Sequence, residues 1–290
     1  MITHPEKVLF PDDGITKGEV AKYYEDIAPA MLPHLTGRLV TMERYPAGIG
    51  HKGFWQKDVS KGFPPWLKRA GVKRKDGEIV HHPVITDERS LLWAANQNTI
   101  TLHVSTSRTP RLNYPDVCVF DLDPSTEDAD AVRTAALQLR DLLEELSLAS
   151  WVKTTGSKGF HIVVPLDGKT AGGVAARFAD AVGAVLVSRA PDRLTQEFSK
   201  VDRRGRIYVD TGRNGATATF AAAYTLRPKR GAPVSAPCTW KEVEDGAVDP
   251  SSFTLRNMRQ RVADVGDLWA DMKKRGRSLA KAIAKLRRGL

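Results

Sequence analysis

The run Val117-Cys118-Val119-Phe120-Asp121-Leu122-Asp123-Pro124 constrains this chain more than any other. Five of its first six residues are apolar, and it closes on two acids and a proline. That pattern predicts a buried strand ended by Pro124, which has no N–H for a ladder. Side chains alternate faces along a strand, so Asp121 and Asp123 point the same way. Two carboxylates at the mouth of an apolar strand repel each other and are costly to bury. A divalent cation between them offsets that cost, and an oxygen-only donor set favours Mg²⁺ or Mn²⁺. A solvated acidic turn at a strand end is the competing reading of the same residues.

The 290 residues, 41% of them apolar, suffice for one large domain or two small ones with a core. A formal charge of +10 and a pI of about 9.6 favour polyanionic partners. The two cysteines, Cys118 and Cys238, argue against a disulfide framework and fit a reducing cytosol. No signal-peptide pattern is expected at the N-terminus, and no apolar run reaches membrane-spanning length.

Thr16 and Glu19 have capping-box spacing and open a helix through Tyr23, Tyr24 and Ile27. Lys7 and Lys17 flank the turn before it, where two ammonium groups near a helix start can grip a phosphate or simply be solvated. Leu39 to Arg44 reads as a strand. In the following Phe54-Trp55-Gln56-Lys57, rings beside cations suit base stacking; alternatively one ring is core and the other covers it. In a strand over 99–104, Thr99, Thr101 and His103 share a face. Ser125 to Leu146 is predicted as a helix with Ser125 and Asp128 at its cap, and the strand before it completes half of a βα unit.

Between two further strands, Thr154-Thr155-Gly156-Ser157-Lys158-Gly159 offers N–H groups, hydroxyls and an ammonium to phosphate oxygens. It lacks the G-K-[ST] order of a Walker loop, and an ordinary hairpin turn would use the same glycines. Residues 206–210 repeat the pattern of an apolar strand ending in an acid, Asp210. From Lys273 on, eight Lys and Arg accompany Leu279, Ile283, Leu286 and Leu290 at helical spacing. We therefore expect a main domain over 1–272 and a basic amphipathic tail over 273–290.

Three strand-end acids, a phosphate-cradling loop, histidines and arginines suit a two-metal nucleotidyl-transfer site. In this order they resemble the polymerase domain of bacterial ligase D, within the archaeo-eukaryotic primase superfamily. The matching blocks are Arg44-Tyr45-Pro46-Ala47-Gly48, Phe54 to Lys57, Leu102-His103, Phe120 to Pro124, Thr155 to His161, Val209-Asp210 with Arg213-Asn214, and Tyr224 to Arg227. The resemblance implies an α/β (α+β) fold with a primase-like core of mostly antiparallel sheets and flanking helices. It also implies a template-directed polymerase using Mn²⁺ or Mg²⁺ and nucleoside triphosphates, favouring ribonucleotides, that fills gaps and extends ends in non-homologous end joining.

By matching motif, Asp121, Asp123 and Asp210 would be the catalytic metal ligands. His103, Thr155, Lys158, His161, Arg213 and Arg227 would bind the nucleotide. Lys7 and Lys17 would grip the 5′-phosphate of gapped or broken double-stranded DNA, and Phe54 and Trp55 would stack on the template. Thr155 departs from the family's usual Ser, and Trp55 from the second of two Phe. With no ligase or nuclease domain following, a stand-alone form is expected, working in the cytoplasm at the nucleoid with separate ligases and end-binding proteins. Three other readings compete. A haloacid-dehalogenase-type phosphatase needs the D-x-D strand near the start of its core and a downstream acid pair. A sugar-nucleotide transferase has no use for the basic tail, and a non-catalytic binder of DNA ends has none for three acids.

Overall fold

The computed structural model describes residues 1–59, 63–74 and 76–289. In chain order, β1 (Val8–Phe10) and β2 (Ile15–Thr16) form a hairpin that leads into helix α1 (Lys17–Leu35). Then come β3 (Arg38–Arg44), β4 (Phe54–Gln56), β5 (Arg69–Lys73), β6 (Ile79–Pro83), α2 (Glu88–Asn96) and β7 (Thr99–Arg108). The next stretch carries β8 (Val117–Asp123), α3 (Ala129–Glu145), β9 (Trp151–Thr154), β10 (Phe160–Pro165), α4 (Gly172–Arg189), β11 (Leu194–Thr195), α5 (Lys200–Arg203) and β12 (Ile207–Asp210). The last carries β13 (Thr219–Ala221), β14 (Pro237–Cys238), α6 (Trp240–Glu244), α7 (Met258–Val265) and α8 (Ala280–Arg287). These elements fall into two compact units, one of residues 1–110, 219–236 and 253–267, the other of 111–218, 237–252 and 268–290.

The first unit is built on an antiparallel sheet of order β13-β7-β3-β4. Strand alternation buries Val40, Met42, Ile100, Leu102 and Val104 on one face and leaves Thr41, Glu43, Thr101 and His103 on the other. Helix α1 starts at the predicted capping box, with Thr16 Oγ1 accepting from Glu19 N–H and Glu19 accepting from Thr16 N–H. Its Tyr24 hydroxyl donates to the Ile100 carbonyl at 2.5 Å, which ties the helix to β7.

The second unit is a sheet of order β11-β12-β8-β10-β9-β14. Among its described strand pairs only β11–β12 is parallel. The predicted strand over 117–123 is β8, at the middle of this sheet and fully buried from Cys118 to Phe120. Strands β8 and β9 run the same way with antiparallel β10 between them, so the β8–α3–β9 crossover is split. Both sheets are thus mostly antiparallel, as expected.

Helix α3 begins at Ala129, four residues later than the predicted start at Ser125. Asp128 alone caps it, accepting from Ala131 N–H at 2.9 Å. Ser125 is not part of the cap: its hydroxyl donates to the Arg206 carbonyl at 2.8 Å and ties the β8 exit to the start of β12. The predicted stripe itself is buried at Val132, Ala135, Leu139, Leu142, Leu143 and Leu146.

The basic tail is helical over α8, with Leu279 buried and Ile283 and Leu286 half-buried; Leu290, the last of the predicted stripe, lies outside the described residues. All eight of the tail's Lys and Arg side chains are exposed. Lys285 nonetheless reaches the Glu145 carbonyl at 2.7 Å and Ser147 Oγ at 2.9 Å. Among the described residues no helix is long and apolar enough to cross a membrane.

Candidate functional site

Sheet register in the second unit brings the acids together. Asp210 lies directly opposite Asp121, and Tyr208 opposite Asp123. Directly opposed residues in an antiparallel pair share a face, so all three carboxylates do. On the other side of β8, His161 is opposite Asp121, and Lys153 is opposite His161. Lys153, His161, Asp121 and Asp210 therefore form one row across four strands.

Hydrogen bonds link that row. His161 Nε2 lies 3.2 Å from Asp121 Oδ1. Arg213 Nε lies 3.2 Å from Asp121 Oδ2 and 3.1 Å from Asp210 Oδ2, so one guanidinium sits between two of the acids. Asp123 is drawn instead to Arg203 Nη1, at 3.0 Å. The turn carrying Arg213 is pinned on both sides. Gly212 N–H donates to Asp210 Oδ1, while the Asn214 amide exchanges hydrogen bonds with the N–H and carbonyl of Val119 in β8.

Burial would raise the Asp121 carboxyl, but His161, Arg213 and Lys153 together hold it well below the usual carboxylate range. Burial, reinforced by Lys153, pulls the His161 imidazole down to about 4 against the attraction of Asp121. At neutral pH His161 is therefore uncharged and holds Asp121 through its Nε2–H, while Arg213 and Lys153 supply the fixed positive charge. Burial pushes Asp210 upward, with Asp121 and Asp123 adding to the push and Arg213 and the Gly212 N–H opposing it.

In chemistry, though not in convergence, this donor set is of the kind that holds a hard divalent cation. Three oxygen-only side chains share one face at the ends of adjacent strands, and a cationic group already lies between two of them. Among the described residues no three acidic, His or Cys side chains converge as a ligand set; Arg213 bridges Asp121 and Asp210, and Asp123 turns to Arg203.

The loop between β9 and β10 is closed by Thr155, whose Oγ1 donates to the Gly159 carbonyl and accepts from Gly159 N–H, at 3.0 and 3.2 Å. The hydroxyl is thus committed to the loop and the side chain is buried. Gly156 has φ +64°. Gly159 lies so close to β8 that a Cβ there would sit 1.8 Å from the Leu122 carbonyl oxygen. Gly159→Ala should therefore force the loop off β8 and cost roughly 1–3 kcal/mol of stability, measured by chemical denaturation. Lys158 projects outward and pairs with exposed Glu127 at 3.2 Å.

The remaining predicted residues belong to the first unit. His103 in β7 is buried beside Glu43, with Nε2 3.4 Å from Glu43 Oε2. Arg227 is half-buried, and its charge helps keep Glu43 ionised. The expectation of at most one buried ring in a Phe54–Trp55 strand resolves to none, because both rings of this edge strand are exposed. Phe54 lies under the Arg44 guanidinium and Trp55 tilts against the His103 ring at 4.4 Å.

Lys17 is the first residue of α1 and is almost fully buried, its ammonium donating to Thr3 Oγ1 at 3.1 Å. Burial, with the neighbouring charges of Lys7 and Arg44, lowers its pKa. Lys7 is exposed. The two lysines thus stand in one electropositive corner with Arg44.

Sequence reasoning passed over Lys153, Arg203 and Glu43, and gave Asn214 no role of its own. Lys153 carried a signal, being a charged residue inside an apolar strand; register places it next to His161, and it is fully buried. Arg203 gave none, since it sits in a polar stretch and meets Asp123 across 80 residues.

Residues 16–269 match the family described as LigD, primase-polymerase domain. The chain is 33% identical over 280 residues to the multifunctional non-homologous end joining protein LigD of Mycolicibacterium smegmatis, covering 93% of this chain and 36% of that protein. It is 32% identical to the corresponding protein of Pseudomonas aeruginosa, covering 93% and 32%, and 28% identical to the bifunctional protein of Bacillus subtilis, covering 91% and 42%. The chain thus spans about a third to two-fifths of the length of the curated relatives it matches. Among solved structures, the polymerase domain from Mycobacterium tuberculosis ligase D in complex with DNA superposes with a TM-score of 0.88 at 32% identity, covering 95% of this chain and 98% of that one. On these grounds, and with the strand-end acids held in register, the chain belongs to the LigD primase-polymerase domain family.

Proposed function

We propose that this protein is a template-directed nucleotidyltransferase that adds ribonucleotides or deoxyribonucleotides to DNA 3′ ends in end-joining repair. The observation that carries the reading is the face shared by Asp121, Asp123 and Asp210, with a guanidinium between two of them. These three residues would hold divalent ions, Mn²⁺ or Mg²⁺, which supply Lewis-acid stabilisation of phosphoryl oxygens and a lowered pKa for an attacking hydroxyl.

The protein's own groups do the rest. His161 orients Asp121 through Nε2–H, and Lys153 supplies a fixed charge behind it. Arg213 neutralises Asp121 and Asp210, and Arg203 neutralises Asp123. Arg213, with Lys158 and the N–H groups of the 155–159 loop, would bind a triphosphate, where preorganised donors count most. Thr155 acts by shaping that loop. On the first unit, His103 and Arg227 bind the nucleotide, Phe54 and Trp55 stack on unpaired template bases, and Lys7 with Lys17 grips a 5′-phosphate. DNA is the macromolecular partner, separate ligases and end-binding proteins act with it, and the cytoplasmic nucleoid is the place of action.

The test is incubation with gapped, 5′-phosphorylated DNA, Mn²⁺ or Mg²⁺ and labelled ribonucleotides or deoxyribonucleotides. Extension of the primer by templated nucleotides is expected. DNA binding without extension would replace the reading with that of an end-binding protein.

The tail is read as a second grip on DNA, its exposed cations tracking phosphates. Cutting it off would uncover packed residues, because Leu279 and Ala282 are buried and Arg277 N–H donates to the Pro165 carbonyl. Replacing Lys281, Arg287 and Arg288 by Ala removes charge without that loss. The plot of log K against log salt should then flatten by about 0.9 for each phosphate that is no longer neutralised. Binding should weaken alike for all sequences, measured as Kd at several salt concentrations.

A further inference from the structure

The polar face of the sheet in the first unit carries a buried network separate from the strand-end acids. Glu43 and His103 are 8% and 7% exposed. Tyr45 donates its hydroxyl to Glu43 Oε1 at 2.8 Å, and His103 Nε2 lies 3.4 Å from Glu43 Oε2. Register sets Trp55 opposite Glu43 on β4, and its ring lies over the imidazole at 4.4 Å. The imidazole is therefore held at one edge by a carboxylate and covered on a face by an indole.

The surroundings mark this as more than packing. Thr41 lies opposite His103 and Thr101 opposite Glu43, and both hydroxyls, like that of Thr99, are buried without a hydrogen-bond partner. Burying unsatisfied hydroxyls next to a carboxylate is a poor way to stabilise a sheet whose other face is Val40, Met42, Ile100, Leu102 and Val104. The face is polar where folding alone favours an apolar one.

We propose that Glu43 is a positioning residue for nucleotide binding: clamped by Tyr45, it holds the Nε2–H of His103 and so fixes the ring's tautomer and orientation beneath Trp55. A ring held in one tautomer and one orientation offers a nucleoside triphosphate a single, fixed hydrogen-bonding pattern. Trp55 then responds to the nucleotide through His103 as well as to template bases. The inference deepens the nucleotidyltransferase reading and rests on His103 contacting the nucleotide.

The test combines nucleotide affinity with imidazole ¹⁵N resonances. Glu43→Ala should weaken nucleoside triphosphate affinity about tenfold, the upper end of one hydrogen bond's worth, with DNA affinity unchanged. Glu43→Gln, which keeps an oxygen acceptor and the side-chain volume, should recover most of the loss. Introduced into a His103→Ala background, Glu43→Ala should cause no further weakening. The resonances of His103 should show a single Nε2–H tautomer in wild type and in Glu43→Gln, and an exchange-averaged mixture in Glu43→Ala. Equal weakening in the wild-type and His103→Ala backgrounds, or mixed tautomers in wild type, would overturn the proposal. The resonances need neither DNA nor turnover. A protein that extends no primer yet shows this tautomer change and this affinity loss would retire the polymerase reading and leave the Glu43 assignment standing.

Discussion

Asp121→Ala or Asp210→Ala should reduce nucleotide incorporation on gapped DNA by on the order of a thousandfold or more, equivalent to at least about 4 kcal/mol of transition-state stabilisation. DNA affinity should stay within about twofold of wild type, because phosphate gripping rests on cations elsewhere in the chain. The two acids differ in what their loss does to the fold. Asp121 is buried against His161 and Arg213 and faces the charge of fully buried Lys153. Removing it leaves buried positive charge uncompensated, which costs roughly 3–5 kcal/mol in such settings. Asp210 is only half-buried and shares Arg213 with Asp121, so its loss is better tolerated. Asp121→Asn keeps the volume and one acceptor oxygen and separates a missing ligand from a collapsed sheet. The measurement is single-nucleotide extension with a melting curve on the same samples. Incorporation at wild-type rates by folded Asp210→Ala would remove Asp210 from the metal set.

Local chemistry decided how much could be read in advance. Strand β8 was legible because its apolar run is bounded by a proline, and α1 because Thr16 and Glu19 satisfy each other's backbone groups within one turn. The clustering of Asp121 with Asp210 required register, and the sequence indicated only that both strands end in acid. Partners far apart in the chain were out of reach. Arg203 with Asp123, Asn214 with Val119 and Glu43 with His103 are separated by 80, 95 and 60 residues. The Ser125 cap failed for the same reason: a long-range acceptor, the Arg206 carbonyl, competes for its hydroxyl and leaves Asp128 to start the helix. The two exposed rings of β4 follow from its edge position, which a strand pattern of three residues does not reveal.

Removing the 5′-phosphate from gapped DNA should weaken binding to the wild-type protein about 10- to 100-fold, and binding to a Lys7→Ala, Lys17→Ala double variant hardly at all. The reason lies in the cost of the corner itself. Lys17 is 3% exposed, donates to Thr3 Oγ1, and has its charged form disfavoured by burial and by Lys7 and Arg44. An arriving phosphate dianion relieves that repulsion and meets an ammonium already directed by its hydrogen bond to Thr3 Oγ1. A contact of this kind is worth about 1.5–3 kcal/mol, whereas exposed Lys7 contributes nearer to the 0–1 kcal/mol of a surface pair. Lys17→Ala alone should therefore account for most of the loss and Lys7→Ala for a few-fold at most. Arg44 is the control. Its guanidinium is spent on Gln97 and Gln56 and lies over Phe54, so its replacement should disturb β4 and template binding more than phosphate discrimination. Fluorescence anisotropy on paired DNAs, with and without the phosphate, measures all five proteins. Equal loss of affinity on dephosphorylation in wild type and double variant would place the phosphate away from this corner, and the acid centre would stand without it.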